Sequence, residues 1–292
     1  MKHRPDLGMY EKPYPELDSM LRRNRIDFYT NPSKVYIEPF PIAGNLYYVG
    51  DTRVCAHLID TGDGLILFDA GFQHTIHLLV QSIWEAGFNP RDIKYLILSH
   101  GHFDHFGACN EFRSLYGCET LLSKVDCQVL RKTPEAGLLD MNPNPYATLP
   151  VIDRELEDGD VITLGNTSIN CVLSPGHSPG TMSFFFDIQE KGDTYTVGYF
   201  GGTGFLTLYK EFLEQYHLDL KLRDAFKETI VKLKNFHVDI CLGNHPSQNA
   251  TLEKRRKMQE CPEINPFIDH QEWGSYLERL ARQYEAFLEQ GF

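Results

Sequence analysis

One six-residue segment constrains this chain more than any other: His100-x-His102-x-Asp104-His105, placed directly after the apolar run 95–98. A short, continuously apolar run bounded by polar residues reads as a strand buried on both faces. The segment therefore falls at the C-terminal edge of a buried strand. Three imidazoles and a carboxylate supply the nitrogen and oxygen donors that a borderline cation such as zinc selects. His100 and His102 are two apart, so in extended backbone they point the same way. Asp104 and His105 come after the turn and aim at a second point nearby. The spacing suggests two cations. One zinc takes about three or four protein ligands, and two take about six to eight counting shared water, so other parts of the chain must contribute.

Two positions suit that need. His177 lies in Pro175-Gly176-His177-Ser178-Pro179-Gly180, and His245 in Gly243-Asn244-His245-Pro246. Each follows an apolar strand pattern, where strand-edge loops carry functional groups. His74 and His77 sit three apart on one helical pattern and read instead as a solvated or satisfied helix face.

The rest of the chain reads as a soluble α/β protein. Its 292 residues are 42% hydrophobic and 23% charged, enough to bury a sizeable core. No apolar run approaches the roughly 20 residues that span a bilayer. The opening MKHRPDLGMYEKPYPEL has no apolar centre for a signal peptide, so the expected location is cytoplasmic. The net charge of −12 repels phosphate backbones and anionic membranes, which argues against nucleic acid and membrane partners. The basic run Lys254-Arg255-Arg256-Lys257 reads as a solvated helix face. The seven cysteines are odd in number, with no Cys-x-x-Cys pair, and read as reduced, buried thiols.

Residues 1–34 are polar and aperiodic and read as an N-terminal extension, with one domain over 35–292. Strands are expected at 35–40, 45–49, 54–60 and 65–69, then at 95–98, 161–164, 168–173, 181–188, 194–200 and 238–242. Helices are expected from 76 to Gly87, after the histidine segment to Gly117, through 206–236 and over 273–288. The strands fall into groups 35–69 and 95–200, and two packed sheets with helices outside would bury both apolar faces. The segment 119–150 reads as mixed, with a surface loop at Pro143 and Pro145. Gly201-Gly202-Thr203-Gly204 reads as a flexible turn by composition; it lacks the lysine of a phosphate loop and is better read as a tight turn next to the metal site. Tyr146, Phe205 and Tyr209 read either as lining of a substrate pocket or as packing residues.

SHGHFDH, SPGHSPG, the LILFDAG strand ending at Asp69 and the late LGNHP together resemble the metallo-β-lactamase superfamily, in the correct order across about residues 35–250. EPFPIAGNLYYVG, LEDGDVITLG and LGNHPSQN are most similar to the third subclass of metallo-β-lactamases, whose second metal is held without a cysteine. The resemblance implies an αββα sandwich of two mixed β-sheets flanked by helices, with metals at one sheet edge. It implies two Zn²⁺ per chain, with iron or manganese able to take the same donors. His100, His102 and His177 would hold the first metal, and Asp104, His105 and His245 the second. Asp69 would brace the metal loop without ligating, and Asp104 would be the catalytic carboxylate. The implied activity is hydrolysis of a small-molecule amide, lactam or ester-type carbonyl by metal-activated water.

One position departs from the wider superfamily. Most of its hydrolases carry a metal-bridging aspartate in a Gly-Asp-Thr context, where this chain has Gly202. That makes glyoxalase-type thioesterases, lactonases and flavodiiron proteins less expected. The serines that help third-subclass enzymes bind the substrate carboxylate are not evident around this turn. The alternatives are a lactonase, thioesterase or phosphodiesterase on the same fold, a di-iron redox enzyme, or a non-catalytic metal-binding module.

Overall fold

The strand pattern resolves into two sheets in the computed structural model, which describes residues 31–142 and 146–291. Most of the expected N-terminal extension, together with Pro143 and Pro145, lies outside the described residues. The first sheet runs in sequence order: β1 (Phe40–Ala43), β2 (Leu46–Tyr48), β3 (His57–Asp60), β4 (Leu65–Phe68), β5 (Ile93–Ile97), β6 (Glu119–Ser123) and β7 (Arg154–Leu156). Strands β1 to β4 form an antiparallel meander, and β4 to β7 are parallel. The second sheet holds β8 (Val161–Leu164), β9 (Thr167–Leu173), β10 (Met182–Glu190), β11 (Asp193–Phe200) and β12 (Ile240–Gly243). Its strands are antiparallel except for β11 and β12.

Side-chain alternation along β4 explains the layering. Ile66 and Phe68 point between the sheets, among Ile97, Leu121, Phe184, Phe186 and Tyr199, whereas Leu65 and Leu67 join the cluster under the helices. A strand buried on both faces loses the polar half of the period-2 pattern. Phe68 lies within 6 Å of the rings of Phe184, Phe186 and Tyr199. Burying such a ring contributes about 1.5–3 kcal/mol.

Helices cover both outer faces. They are α1 (Ile76–Glu85), α2 (Phe103–Phe106), α3 (Cys109–Tyr116), α4 (Lys124–Lys132), α5 (Lys210–Gln215), α6 (Leu222–Leu233), α7 (Thr251–Glu260) and α8 (Glu272–Glu289). Helix α3 ends on Gly117 at φ 75°, a left-handed cap suited to glycine. Strands β10 and β11 are joined by Lys191 and Gly192, both at positive φ, as a type I′ hairpin requires. No helix of the described residues is long and apolar enough to cross a membrane.

Several expectations need correction. The segment 119–150, read as mixed, opens with β6 and α4, which the sequence reading did not separate; Ser123 caps the helix by accepting the Asp126 amide at 3.1 Å. Strand grouping by sequence distance fails, because β5 to β7 extend the first sheet. No strand forms at 35–39; a 3₁₀ turn covers Pro32–Val35, and β1 begins at Phe40. His74 lies in a 3₁₀ turn before α1, where it meets the Phe72 ring. The basic run on α7 is only half solvated. Lys254 is buried, paired with Glu272 and set over the Phe267 ring, and Arg255 covers Phe40. Long basic stems cover apolar surface in this way. Six cysteines are buried and Cys261 is exposed. Tyr146 is exposed, whereas Phe205 and Tyr209 pack on Phe287.

Candidate metal centre

Strand ends from both sheets meet at one edge of the sandwich. In the first sheet, Phe68 of β4 pairs with Ile97 of parallel β5, so Asp69 and the segment after β5 leave side by side. In the second sheet β9, β11 and β12 share one direction. They end at the His177 loop, the Gly201 turn and His245. The Met182 amide donates to the Ser99 carbonyl at 2.9 Å and ties the two sheets together here.

Local backbone then sorts the donors into two groups. His102 is extended, at φ −104° and ψ 149°, and α2 starts immediately after it. That single helical turn redirects Asp104 and His105 away from the strand line. The rings of His100, His102 and His177 stand 4.5, 4.6 and 4.7 Å apart, pair by pair. Asp104 Oδ2 lies 3.4 Å from His105 Nε2 and 3.5 Å from His245 Nε2. The rings of His105 and His245 are 5.0 Å apart, and His100 is 4.3 Å from His105. All six positions read from the sequence thus come together as two adjoining triads.

Hydrogen bonds on the far side of the rings set their orientation. Nδ1–H of His100 donates to the Gly201 carbonyl at 2.9 Å, that of His177 to Gly204 at 2.9 Å, and that of His245 to Arg53 at 2.8 Å. His105 presents Nδ1 to Asp69 Oδ2 at 2.9 Å. A carbonyl can only accept, so the three carbonyl contacts fix the tautomers of His100, His177 and His245 and leave their Nε2 atoms as the ligating nitrogens. His102 differs, turning Nδ1 to within 3.1 Å of His177 Nε2. Nε2 of His100 is buried without a hydrogen-bond partner. An orphaned buried nitrogen is costly, and a cation among these lone pairs would satisfy it. Five inward imidazole nitrogens and one carboxylate fit zinc by type and by number.

The electrostatics agree. Burial, reinforced by the neighbouring imidazoles, holds His100 and His102 well below the ordinary histidine range. Burial takes His177 down to about 4 against the pull of the Gly204 carbonyl. These rings are neutral and ready to ligate. Burial works against the Asp104 anion, but the His105 and His245 rings hold its carboxyl well below the carboxylate range. Burial likewise opposes charge on His105, yet Asp104 and Asp69 on either side outweigh it and raise its affinity for a proton. A cation binding there displaces that proton.

Asp69 sits just after β4 in left-handed backbone, at φ 58°. Besides His105, its carboxylate accepts the Ser99 amide at 2.7 Å, the Ser99 hydroxyl at 2.8 Å and the Tyr199 hydroxyl at 2.7 Å. It belongs to neither triad but braces His105 and the loop that carries the histidine segment.

Two supports escaped the sequence reading. Asp126, buried at the first turn of α4, accepts the Gly101 amide at 2.7 Å, the Ser178 hydroxyl at 2.7 Å and the Gly180 amide at 2.6 Å. It joins the histidine segment to the His177 loop. Its only trace in the sequence is Ser123-x-x-Asp126, a helix start whose acid points into the protein. Asn244 is buried, donates to the Gly201 carbonyl at 2.6 Å and is itself held by Gln248. Proximity to His245 in Gly-Asn-His-Pro was the available signal.

The turn after β11 is close-packed, in keeping with a tight turn beside the metal site. A Cβ on Gly201 would meet the Met182 carbonyl oxygen at 1.9 Å, and one on Gly202 would meet His177 Cδ2 at 2.7 Å. Glycine is required at both places by close approach. A side chain at 202 cannot enter while the His177 ring keeps its place.

Comparison with known proteins follows the geometry. A family model described as the metallo-beta-lactamase superfamily matches residues 49–190. The chain is 28% identical over 224 residues to the probable metallo-hydrolase YqgX of Bacillus subtilis, covering 76% of this chain and 95% of that protein. It is 30% identical over 152 residues to the hydroxyacylglutathione hydrolase GloC of Haemophilus influenzae, covering 51% of this chain and 68% of that protein. Among solved structures, BJP-1, a subclass B3 metallo-beta-lactamase of Bradyrhizobium japonicum, matches with a TM-score of 0.75 at 27% identity. That match covers 88% of this chain and 95% of BJP-1.

Proposed function

Because the chain belongs to the metallo-β-lactamase superfamily, we propose that it is a dinuclear zinc hydrolase that opens an amide, lactam or ester-type carbonyl in a small molecule. The observation that carries this reading is the pair of adjoining triads with ring lone pairs turned inward. His100, His102 and His177 would hold one zinc, and Asp104, His105 and His245 the other. Bound zinc supplies Lewis-acid polarisation of the carbonyl and a water acidic enough to ionise near neutral pH.

The chain supplies the rest. Asp104 is the only carboxylate in the two triads, since Gly202 offers none. Orienting the attacking water, taking its proton and returning one to the leaving group therefore fall to Asp104. Asp69 holds the His105 ring in line, and the Gly201, Gly204 and Arg53 carbonyls do the same for His100, His177 and His245. No side chain acts as a covalent nucleophile.

The solved structure of a subclass B3 lactamase matches 88% of this chain at 27% identity, which favours the lactam or amide arm. The test is a parallel assay on a chromogenic β-lactam, a lactone, a thioester and a phosphodiester. Turnover of the lactam supports the reading, and turnover confined to another compound reassigns the substrate class. Asp104→Ala should lower turnover about 10²–10⁴-fold in a protein that stays folded and keeps at least one zinc. Full activity in that variant would rule the mechanism out.

A further inference from the structure

A second group of metal-type donors lies at the far end of the strand that delivers His245. His237 and Asp239 precede β12, and His270 precedes α8. Asp239 Oδ1 is 2.8 Å from His237 Nε2 and 2.6 Å from His270 Nδ1. All three donor atoms fall within 4.8 Å of one another. The strand between this group and His245, Ile240–Gly243, separates them by about 13 Å at 3.3 Å per residue. The two groups share no residue.

We propose that His237, Asp239 and His270 form a third divalent-cation site, independent of the central pair and suited to zinc or a similar borderline ion. Two imidazoles and one carboxylate on one face are a recognised donor set for such ions, with the remaining positions left to water. Tetrahedral bonds of about 2.1 Å place neighbouring donors about 3.4 Å apart, so the two exposed imidazoles need to swing outward from Asp239 Oδ1 by less than about 1 Å to admit the ion. The site is also built. Asp239 is only 5% exposed, and its second oxygen accepts the Thr196 amide at 2.8 Å. Its backbone carbonyl accepts the Asp269 amide at 2.8 Å, and Ile240 bridges to Ile268. The carboxylate is thus fixed, with Oδ1 turned toward the two histidines. Both histidines are largely exposed, at 73% and 65%, so a cation can reach them. The net charge of −12 favours its arrival.

A cation here clips the α6–β12 connection to the segment that starts α8. That helix donates the Trp273 indole N–H to the Leu233 carbonyl at 3.0 Å and the Tyr276 hydroxyl to Thr203 at 3.3 Å. The clip therefore steadies the helix that backs the glycine turn beside the central triads.

The test is equilibrium dialysis of chelator-treated protein against zinc, with elemental analysis, on the wild type, His237→Ala/His270→Ala and Asp239→Asn. Both histidines are exposed, so the double variant should fold, and Asp239→Asn keeps an acceptor for Thr196. Each variant should bind one zinc per chain fewer than the wild type, with hydrolytic activity unchanged. At zinc a hundredfold above the dissociation constant, the wild-type melting temperature should rise roughly 5 °C more than that of the double variant. Equal zinc content in all three proteins overturns the site. Loss of more than one zinc, or of activity, overturns its independence. The one-zinc difference is read whatever the central triads hold, so this test stands apart from that of the proposed function.

Discussion

Oδ2 of Asp69 lies 2.9 Å from Nδ1 of His105 and accepts the Tyr199 hydroxyl at 2.7 Å. One buried oxygen therefore links a triad residue to the second sheet. Asp69→Ala leaves the Ser99 amide, the Ser99 hydroxyl and the Tyr199 hydroxyl without their acceptor. Each orphaned buried donor costs about 1–3 kcal/mol, so a loss of at least about 3 kcal/mol is expected in urea unfolding. Asp69→Asn keeps the shape but weakens the hold on His105. Zinc affinity should fall about 10–100-fold, read by competition with a chromophoric chelator.

Asp126 acts between loops, not on a ring. Asp126→Ala should free the Ser178–Gly180 turn from Gly101 and let His177 drift. About 3 kcal/mol of stability should go, by the same count of orphaned donors. Zinc content should fall in step, measured by elemental analysis after gel filtration.

Gly202 tests the close packing of the turn. Gly202→Asp restores the carboxylate that most of the superfamily carries, yet its Cβ would stand 2.7 Å from His177 Cδ2. The ring must move, so the variant should lose activity by about a hundredfold, on the order expected when a site residue is displaced by about 1 Å. Improved turnover or tighter zinc binding in this variant would show that the turn has room.

His57 gives a pH signature away from the triads. Its ring is buried between Tyr48 and Tyr199, and neither nitrogen has a hydrogen-bond partner. Burial lowers its pKa to about 4, with Asp69 pulling the other way. The unfolded chain, near 6.5, takes up a proton first. The contribution is therefore intact above pH 6.5 and is lost as pH falls from 6.5 toward 4, by up to about 3 kcal/mol. His57→Phe should flatten that slope. Chelator-treated wild type and variant, unfolded in urea at pH 7 and pH 5, should differ in their loss by about 2 kcal/mol. An equal loss in both would remove His57 from the account.

The residues with chemistry were the most legible part of the sequence, because donor type and spacing survive without knowledge of the fold. His100, His102, Asp104 and His105 announce themselves, and His177 and His245 follow from strand-end loops. Asp126 was hidden because an acid near a helix start ordinarily reads as a solvated dipole partner, and only packing turns this one inward. The sheet assignment of β5 to β7 was equally hidden, since a parallel strand pairs with a neighbour far along the chain. Gly201 and Gly202 read as a turn, but which atoms they approach was hidden, because glycine signals freedom and close approach with the same letter. Charge dominates the hydropathy of Lys254 and hides its burial, with Nζ set over the Phe267 ring.

The most direct test of the central claim is the zinc content of the His237→Ala/His270→Ala protein, purified without added metal and then offered zinc, so that only the paired triads are counted. The account predicts two zinc ions per chain. Trace metal alone, even after zinc is offered, would contradict it, because the six inward donors would then not act as ligands.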